Sequence, residues 1–301
     1  MDDTFRYLLD DYRQHLKLER GLSENSLSAY IGDLAAFAET VKGKSPLKIR
    51  PADISGYFMS LTRKGQKPAT LARKIASIKG FFAYLKDNNR IKENPALVYA
   101  APKISRYHPD YLSPGEISNI IEAIKPESAS YLRDKAIIEL LYGSGLRLSE
   151  LLNLKISEME LEAGFLRILG KGNKQRLVPV GEYAKKTVTS YLETRKEPQF
   201  KYEDYLLVNR FGRKFSRVGL WKIIKKIVLQ TGISKKVTPH TFRHSFATHL
   251  IEGGADLRIV QEMLGHADIS TTEIYTKIDR DYIIAEHRKY HPRELGGDKK
   301  G

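Results

Sequence analysis

The chain has 301 residues, with 51 Lys+Arg against 36 Asp+Glu and a formal net charge of +15. That length is a prior for two domains, and a hydrophobic fraction of 41% is enough to build ordinary cores. Cysteine is absent, which excludes disulfide frameworks, thiolate zinc sites, iron–sulfur clusters and cysteine nucleophiles. The N-terminus, MDDTFRYLLDDYRQHL, is acidic and amphipathic and lacks the basic and apolar regions of a signal peptide. No apolar run approaches the roughly 20 residues that span a bilayer. A soluble, cytoplasmic protein is expected. The positive charge has two explanations, a generic lysine-rich surface or a polyanionic partner whose phosphates the cations neutralise. No basic amphipathic anchor or lipidation motif favours a membrane. The charge is spread over both halves, which points to two basic surfaces able to close around a duplex.

Residues 5–20 carry Phe5, Leu8, Leu9, Tyr12 and Leu16 at helical spacing. A second helix is predicted over 22–41, with Ser23 as its N-cap, and a third over 51–62, opening on Pro51 and Asp53. The fourth, 67–89, sets Arg73, Lys74 and Lys79 on a basic side and Leu71, Ile75, Ile78, Phe82 and Leu85 on an apolar one. The first hundred residues therefore read as a compact four-helix unit. The proline-rich stretch 93–116 breaks the periodicity, so a linker is placed near 98–110. Helices follow at 114–125 and 130–142. In 165–180 two apolar stretches flank KGNK, the pattern of a β-hairpin, and Tyr205–Val208 reads as another short strand. Helices resume at 216–231, 240–252, 256–264 and 269–276, with a last one at 281–291. No internal repeat or low-complexity tract is present.

Cutting a phosphodiester without metal needs a nucleophile, cations on the phosphoryl oxygens and a proton donor for the leaving oxygen. In TPHTFRHSFATHL, His240 and Arg243 stand three apart and share one helical face. An imidazole beside a guanidinium suits a phosphate, since Arg grips two oxygens through its planar fork. His240 and His244 are also four apart, but a zinc protease motif needs Glu where Thr241 stands. His244 and His249 are expected to be packing or hydrogen-bonding residues. In LYGSGLRLSELLNL a helix ends at Gly143-Ser144-Gly145 and another begins near Arg147, putting this cation by a helix N-terminus, a favourable anion site. Glu150, one turn on, could orient a neighbouring cation; a plain surface Arg–Glu pair is the alternative. A dinucleotide fingerprint fails at Leu148, and a phosphate-binding Walker loop fails at Gly172. Lys171 opens the hairpin turn, either as a proton donor reaching a groove or as part of a solvated basic turn. His266 ends a helical stretch, and Tyr275 follows nine residues later. With 17 tyrosines in the chain, that residue alone carries little.

Taken in order, the arginine of GSGLRLSEL, the hairpin lysine, the H-x-x-R of PHTFRHSFATHL, LGH and then Tyr resemble the tyrosine (integrase-type) site-specific recombinases. The phrases LRDKAIIELLYGSGLRLSELLNL and LGHADISTTEIYTKI and the HPRE at 291–294 look most like the Xer chromosome-dimer recombinases. The resemblance implies a mainly α fold with a small β-hairpin or sheet, in a two-domain C-shaped DNA clamp. It implies a SAM-like four-helix DNA-binding domain at 1–100, a linker at 101–111, a catalytic domain at 112–295 and a loose tail at 296–301. It also implies the roles: Tyr275 the nucleophile of a 3′-phosphotyrosyl intermediate, Arg147 and Arg243 the oxygen clamp, Lys171 the acid for the 5′-oxygen. His240 handles the tyrosine proton, His266 hydrogen-bonds the phosphate and Glu150 supports from behind. Arg73, Lys74 and Lys79 are expected among the DNA contacts. No cofactor or metal is implied. Partners implied are a double-stranded target site, a homo-tetramer or a hetero-tetramer with a paralogue, and a septal DNA translocase. Residues 281–292 are the candidate for a segment passed to a neighbour. The alternatives are a mobile-element integrase or transposase, a type IB topoisomerase-like relaxing enzyme, and a DNA-binding module without catalysis.

Overall fold

The computed structural model describes residues 1–100, 111–128, 130–170, 175–195, 204–265 and 277–295. The chain divides into two compact units, Met1–Tyr107 and His108–Gly301. Among the described residues no helix is long and apolar enough to cross a membrane.

The first unit is built from α1 (Asp3–Leu18), α2 (Glu24–Thr40), α3 (Pro51–Arg63) and α4 (Pro68–Asp87), the four helices that the periodicity predicts. Their starts follow from local chemistry. The Asp2 carboxylate accepts from the Phe5 amide at 3.2 Å, and the Ser23 hydroxyl accepts from that of Ser26 at 3.4 Å. Pro51 and Pro68 occupy first-turn positions where no amide is needed. Phe5, Phe37, Phe81 and Phe82 are buried at the centre with Leu34 and Ile78, and the Phe5 and Phe81 rings stack at 5.7 Å. Burial of each such side chain contributes about 1.5–3 kcal/mol.

The second unit is mainly α with a small sheet, as the resemblance implies. Its helices are α5 (Pro114–Glu122), α6 (Tyr131–Gly143), α7 (Leu148–Asn153), α8 (Glu182–Thr194), α9 (Arg217–Leu229), α10 (Pro239–Gly253), α11 (Leu257–Leu264), α12 (Lys277–Tyr290) and α13 (Pro292–Leu295). The sheet is antiparallel in the order β1 (Met159–Glu160), β2 (Phe165–Leu169), β3 (Gln175–Pro179). From Ala136 to Gly143 every residue of α6 is buried, so this helix is the axis on which the unit packs.

Three expectations need revising. No element is predicted at 182–194, yet α8 lies there. Its inward positions are Ala184, Thr187, Val188 and Tyr191, helically spaced but too short or polar to stand out. The predicted strand at Tyr205–Val208 is reduced to single bridges, Lys155 with Tyr205 and Val208 with Lys214. The predicted last helix, 281–291, is longer and packs against its own unit. Ile283, His287 and His291 are buried. His287 Nε2 donates to the Gly143 carbonyl at 2.8 Å, Arg293 pairs with buried Glu139, and Glu294 accepts from the Glu182 amide at the start of α8 at 2.9 Å. The predicted hairpin turn 171–174, the helix at 269–276, most of the linker and the tail at 296–301 lie outside the described residues.

Candidate active site

The site begins where α6 ends. Gly145 has φ +57°, and a Cβ there would meet the Phe246 ring at 2.5 Å. Only glycine satisfies both demands. The tight turn lays the chain on α10 and presents the Gly145 carbonyl to Arg243, whose Nη1 donates to it at 2.7 Å. Two residues on, Arg147 is the N-cap of α7. Its amide donates to Glu150 Oε2 at 2.8 Å, closing the first turn, and its Nη1 donates to Oε1 at 2.8 Å.

α10 supplies the other wall. The Thr238 hydroxyl accepts from the Thr241 amide at 3.3 Å, and Pro239 starts the helix. His240 is exposed, while Arg243, one turn on, is only 5% exposed. His249 donates to or accepts from the Tyr142 hydroxyl at 2.8 Å, and both His244 and His249 meet the Tyr111 ring edge-on. His249 is therefore a packing and hydrogen-bonding residue, and His244 a packing one. Arg147, His240 and Arg243 line one cleft of about 530 Å³ together with Trp221 and Arg217 of α9.

Glu150 is the hub beneath that cleft. Besides Arg147 it receives both terminal nitrogens of Arg176, Nη1 on Oε1 and Nη2 on Oε2, each at 2.9 Å, and lies 3.8 Å from Arg243 Nη1. The plain surface pair is thus excluded: the Glu150 side chain is 7% exposed. Burial pushes its carboxyl up, but the hydrogen bonds and charge of Arg176 and Arg147 outweigh this and hold it below the usual carboxylate range. Burial, together with the charge of Arg147, pushes the Arg243 guanidinium down to about 9, still protonated at neutral pH. Partial desolvation against the cleft wall, then the charges of Arg243, His244 and Arg147, push His240 below the usual imidazole range, which favours the neutral ring that can accept a proton.

The arginines share a second set of acceptors. At the C-terminal end of α11 the carbonyl of Met263 receives Arg176 Nε at 2.9 Å, that of Leu264 receives Arg243, and that of Gly265 receives Arg147 Nη2 at 3.2 Å. Three successive carbonyls at the negative end of a helix are thus each met by a guanidinium.

Of the predicted site residues, the structure brings together Arg147, Glu150, His240 and Arg243. Lys171, His266 and Tyr275 lie outside the described residues. Arg176 is not among the residues the sequence singles out, though it stands in the LGKGNKQR stretch. Its signal is a charged residue at an inward strand position, level with Ile168 across the hairpin. In the first unit Arg73 and Lys74 are bound to protein. Both pair with Asp33, Lys74 Nζ at 2.9 Å, and Arg73 also donates to the Ala29 carbonyl at 3.2 Å. Lys79 is half-buried on the same helix.

This geometry meets its relatives at the family level. A model described as "Phage integrase family" matches residues 110–281, and one described as "Phage integrase, N-terminal SAM-like domain" matches residues 9–89. The chain belongs to the phage integrase family. A tyrosine recombinase XerD of Oceanobacillus iheyensis is 43% identical over 294 residues, covering 95% of this chain and 99% of that protein. A tyrosine recombinase XerC of Thermodesulfovibrio yellowstonii is 38% identical over 292 residues, covering 95% and 97%. Among solved structures, the XerH site-specific recombinase bound to palindromic difH substrate in a post-cleavage complex is 28% identical with a TM-score of 0.67. That match covers 88% of this chain and 79% of the other. The chain is a Xer-like tyrosine recombinase, an enzyme that breaks and rejoins DNA.

Proposed function

We propose that the phenolic oxygen of Tyr275 attacks a scissile DNA phosphate seated on Arg147 and Arg243. The new bond joins that oxygen to phosphorus, and the bond from phosphorus to the 5′-oxygen breaks. His240 takes the phenolic proton, Lys171 protonates the departing 5′-oxygen, and His266 hydrogen-bonds a non-bridging oxygen. The 3′-phosphotyrosyl link preserves an ester bond, so a 5′-hydroxyl from another strand reverses the attack without ATP. Site-specific exchange of this kind resolves chromosome and plasmid dimers in the cytoplasm. Four protomers, identical or mixed with a paralogue, would assemble on two sites, under the control of a septal DNA translocase. The domains are assigned as a DNA-binding 1–100, a linker 101–111, a catalytic 112–295 and a tail 296–301, with Lys79 among the contacts to the duplex.

The observation that supports this reading is the convergence of two guanidiniums and an imidazole on one cleft, backed by a buried carboxylate. Fixed cations aimed at developing phosphoryl charge are worth about 3–4 kcal/mol each in a dry site. Tyr275→Phe is expected to bind target DNA and form no SDS-resistant adduct, whereas wild type forms one with or without EDTA. An adduct in the variant would move the nucleophile elsewhere, and loss with EDTA would require a metal. Two differently labelled duplexes are expected to yield joined heterologous strands; religation within each duplex alone would make the enzyme a relaxing one.

A further inference from the structure

We propose that Arg176 is a positioning residue for strand cleavage, holding Glu150 by a two-pronged pair so that Arg147 and Arg243 meet the phosphate at fixed positions. This rests on the cleavage reading above and extends it to a residue with no place in that reaction scheme.

Arg176 does not itself face the cleft, since its side chain is 6% exposed and Glu150 beside it 7%. What it controls is the occupancy of the carboxylate. Glu150 Oε1 receives Arg147 Nη1 and Arg176 Nη1; Oε2 receives the Arg147 amide and Arg176 Nη2. Each oxygen thereby accepts two hydrogen bonds, about the full capacity of a carboxylate. Arg243 stands at 3.8 Å from Oε2 and is held by the Gly145 and Leu264 carbonyls instead. Three guanidiniums around one carboxylate leave a local surplus of two positive charges. Removing Arg176 would halve the surplus and free two carboxylate lone pairs. Those would compete with the phosphate for Arg147 and Arg243, the opposite of what phosphoryl transfer needs.

Arg176 also fixes the frame around the cleft. Its Nε binds the Met263 carbonyl, so one side chain joins β3, the start of α7 and the end of α11. The surroundings are shaped to admit it. Gly265 has φ +63°, and a Cβ there would come within 2.9 Å of Arg176 Cδ. A buried ion pair seldom stabilises more than the apolar side chains that could replace it, so stability alone is a weak reason for a buried arginine at this strand position.

The test is single-turnover adduct formation by Arg176→Lys, which keeps the charge and loses the fork. The probes are duplexes of the sequence recovered from DNA covalently held by wild type, one ordinary and one with sulfur in place of the 5′-bridging oxygen. A thiolate leaves without an acid, so the sulfur duplex relieves a defect in leaving-group protonation but not one in phosphate clamping. DNA affinity is expected to change little, while the adduct forms about 100-fold more slowly, the cost of a misplacement near 1 Å. Sulfur is expected to rescue Lys171→Ala and not Arg176→Lys. Wild-type rates in Arg176→Lys, a loss that follows DNA affinity alone, or rescue by sulfur would each overturn the proposal. If Arg176→Lys does not fold, Glu150→Gln/Arg176→Gln removes both members of the pair together and leaves Arg243 on the Gly145 and Leu264 carbonyls. Folded and DNA-bound, it is expected to cleave at least as slowly, and wild-type cleavage by it overturns the role equally. Failure to recover any DNA covalently held by wild type would overturn the cleavage reading itself.

Discussion

In each unit of the protein one buried carboxylate gathers several cations, and the two clusters are built differently. In the first, Asp33 of α2 binds Arg73, Lys74 and the Ser77 hydroxyl of α4. The Arg73 side chain is 42% exposed and can turn to water when its partner is lost. That cluster fastens two helices. In the second, Glu150 binds Arg147 and Arg176 and stands beside Arg243, the last two buried to about the same degree as Glu150 itself. That cluster holds a surplus of positive charge under an open cleft. A buried ion pair becomes a binding site when its cations outnumber the local anions and two of them border solvent. When each cation is matched or free to leave, it is a fastener.

The sharpest way to break this comparison is to neutralise each hub. Glu150→Gln leaves Arg176 buried and unpaired, so a loss of about 3–5 kcal/mol is expected. The surviving folded protein should form adduct at least about 100-fold more slowly. Asp33→Asn is expected to cost about 1–3 kcal/mol, with adduct formation at saturating DNA unchanged. Denaturant titrations paired with single-turnover cleavage decide it. Equal losses of cleavage in both variants would erase the distinction.

Acid separates the same two units. Burial pushes His287 down to about 4, against an ordinary 6.5, despite its bond to the Gly143 carbonyl. Burial, then the charges of His287, His249 and Arg293, holds His291 well below that range, and burial also lowers His249. A depressed histidine binds its proton in the unfolded chain first. Its contribution is therefore whole above pH 6.5 and is lost as pH falls from there toward the group's folded value, by about 1.4 kcal/mol per pH unit over that span. For His287 this reaches about 3 kcal/mol at pH 4. Hydrogen exchange followed from pH 7 to pH 4 should show α12 and α13 losing protection ahead of α1–α4. Uniform loss across both units would show that these histidines do not set the acid limit.

What could be read in the residues follows what local chemistry dictates. The four helices of the first unit announce themselves through Phe5, Leu8 and Tyr12 at helical spacing, through Ser23 as a cap and through Pro51 and Pro68. The glycine turn before Arg147 and the shared face of His240 and Arg243 are equally local. Arg176 escapes notice because its meaning lies in partners far along the chain, Glu150 and the Met263 carbonyl. α8 escapes because Ala184 and Thr187 bury little surface of their own. The pairing of Arg73 and Lys74 with Asp33 is hidden for the same reason, since a basic helix side does not disclose a carboxylate forty residues earlier in the chain.

That last point yields the smallest expected effect, and one that depends on whether Asp33 keeps its cations when DNA arrives. Each phosphate contact adds about 0.9 to the slope of log affinity against log salt. If Asp33 holds Arg73 in the complex as it does in the free protein, Arg73→Gln should leave that slope nearly unchanged. Lys79→Gln should lower it by close to one contact's worth. The opposite ranking would mean that the phosphate backbone draws Arg73 off Asp33. The first unit's carboxylate would then be a cation reservoir, and its resemblance to the Glu150 cluster would be closer than the free structure makes it.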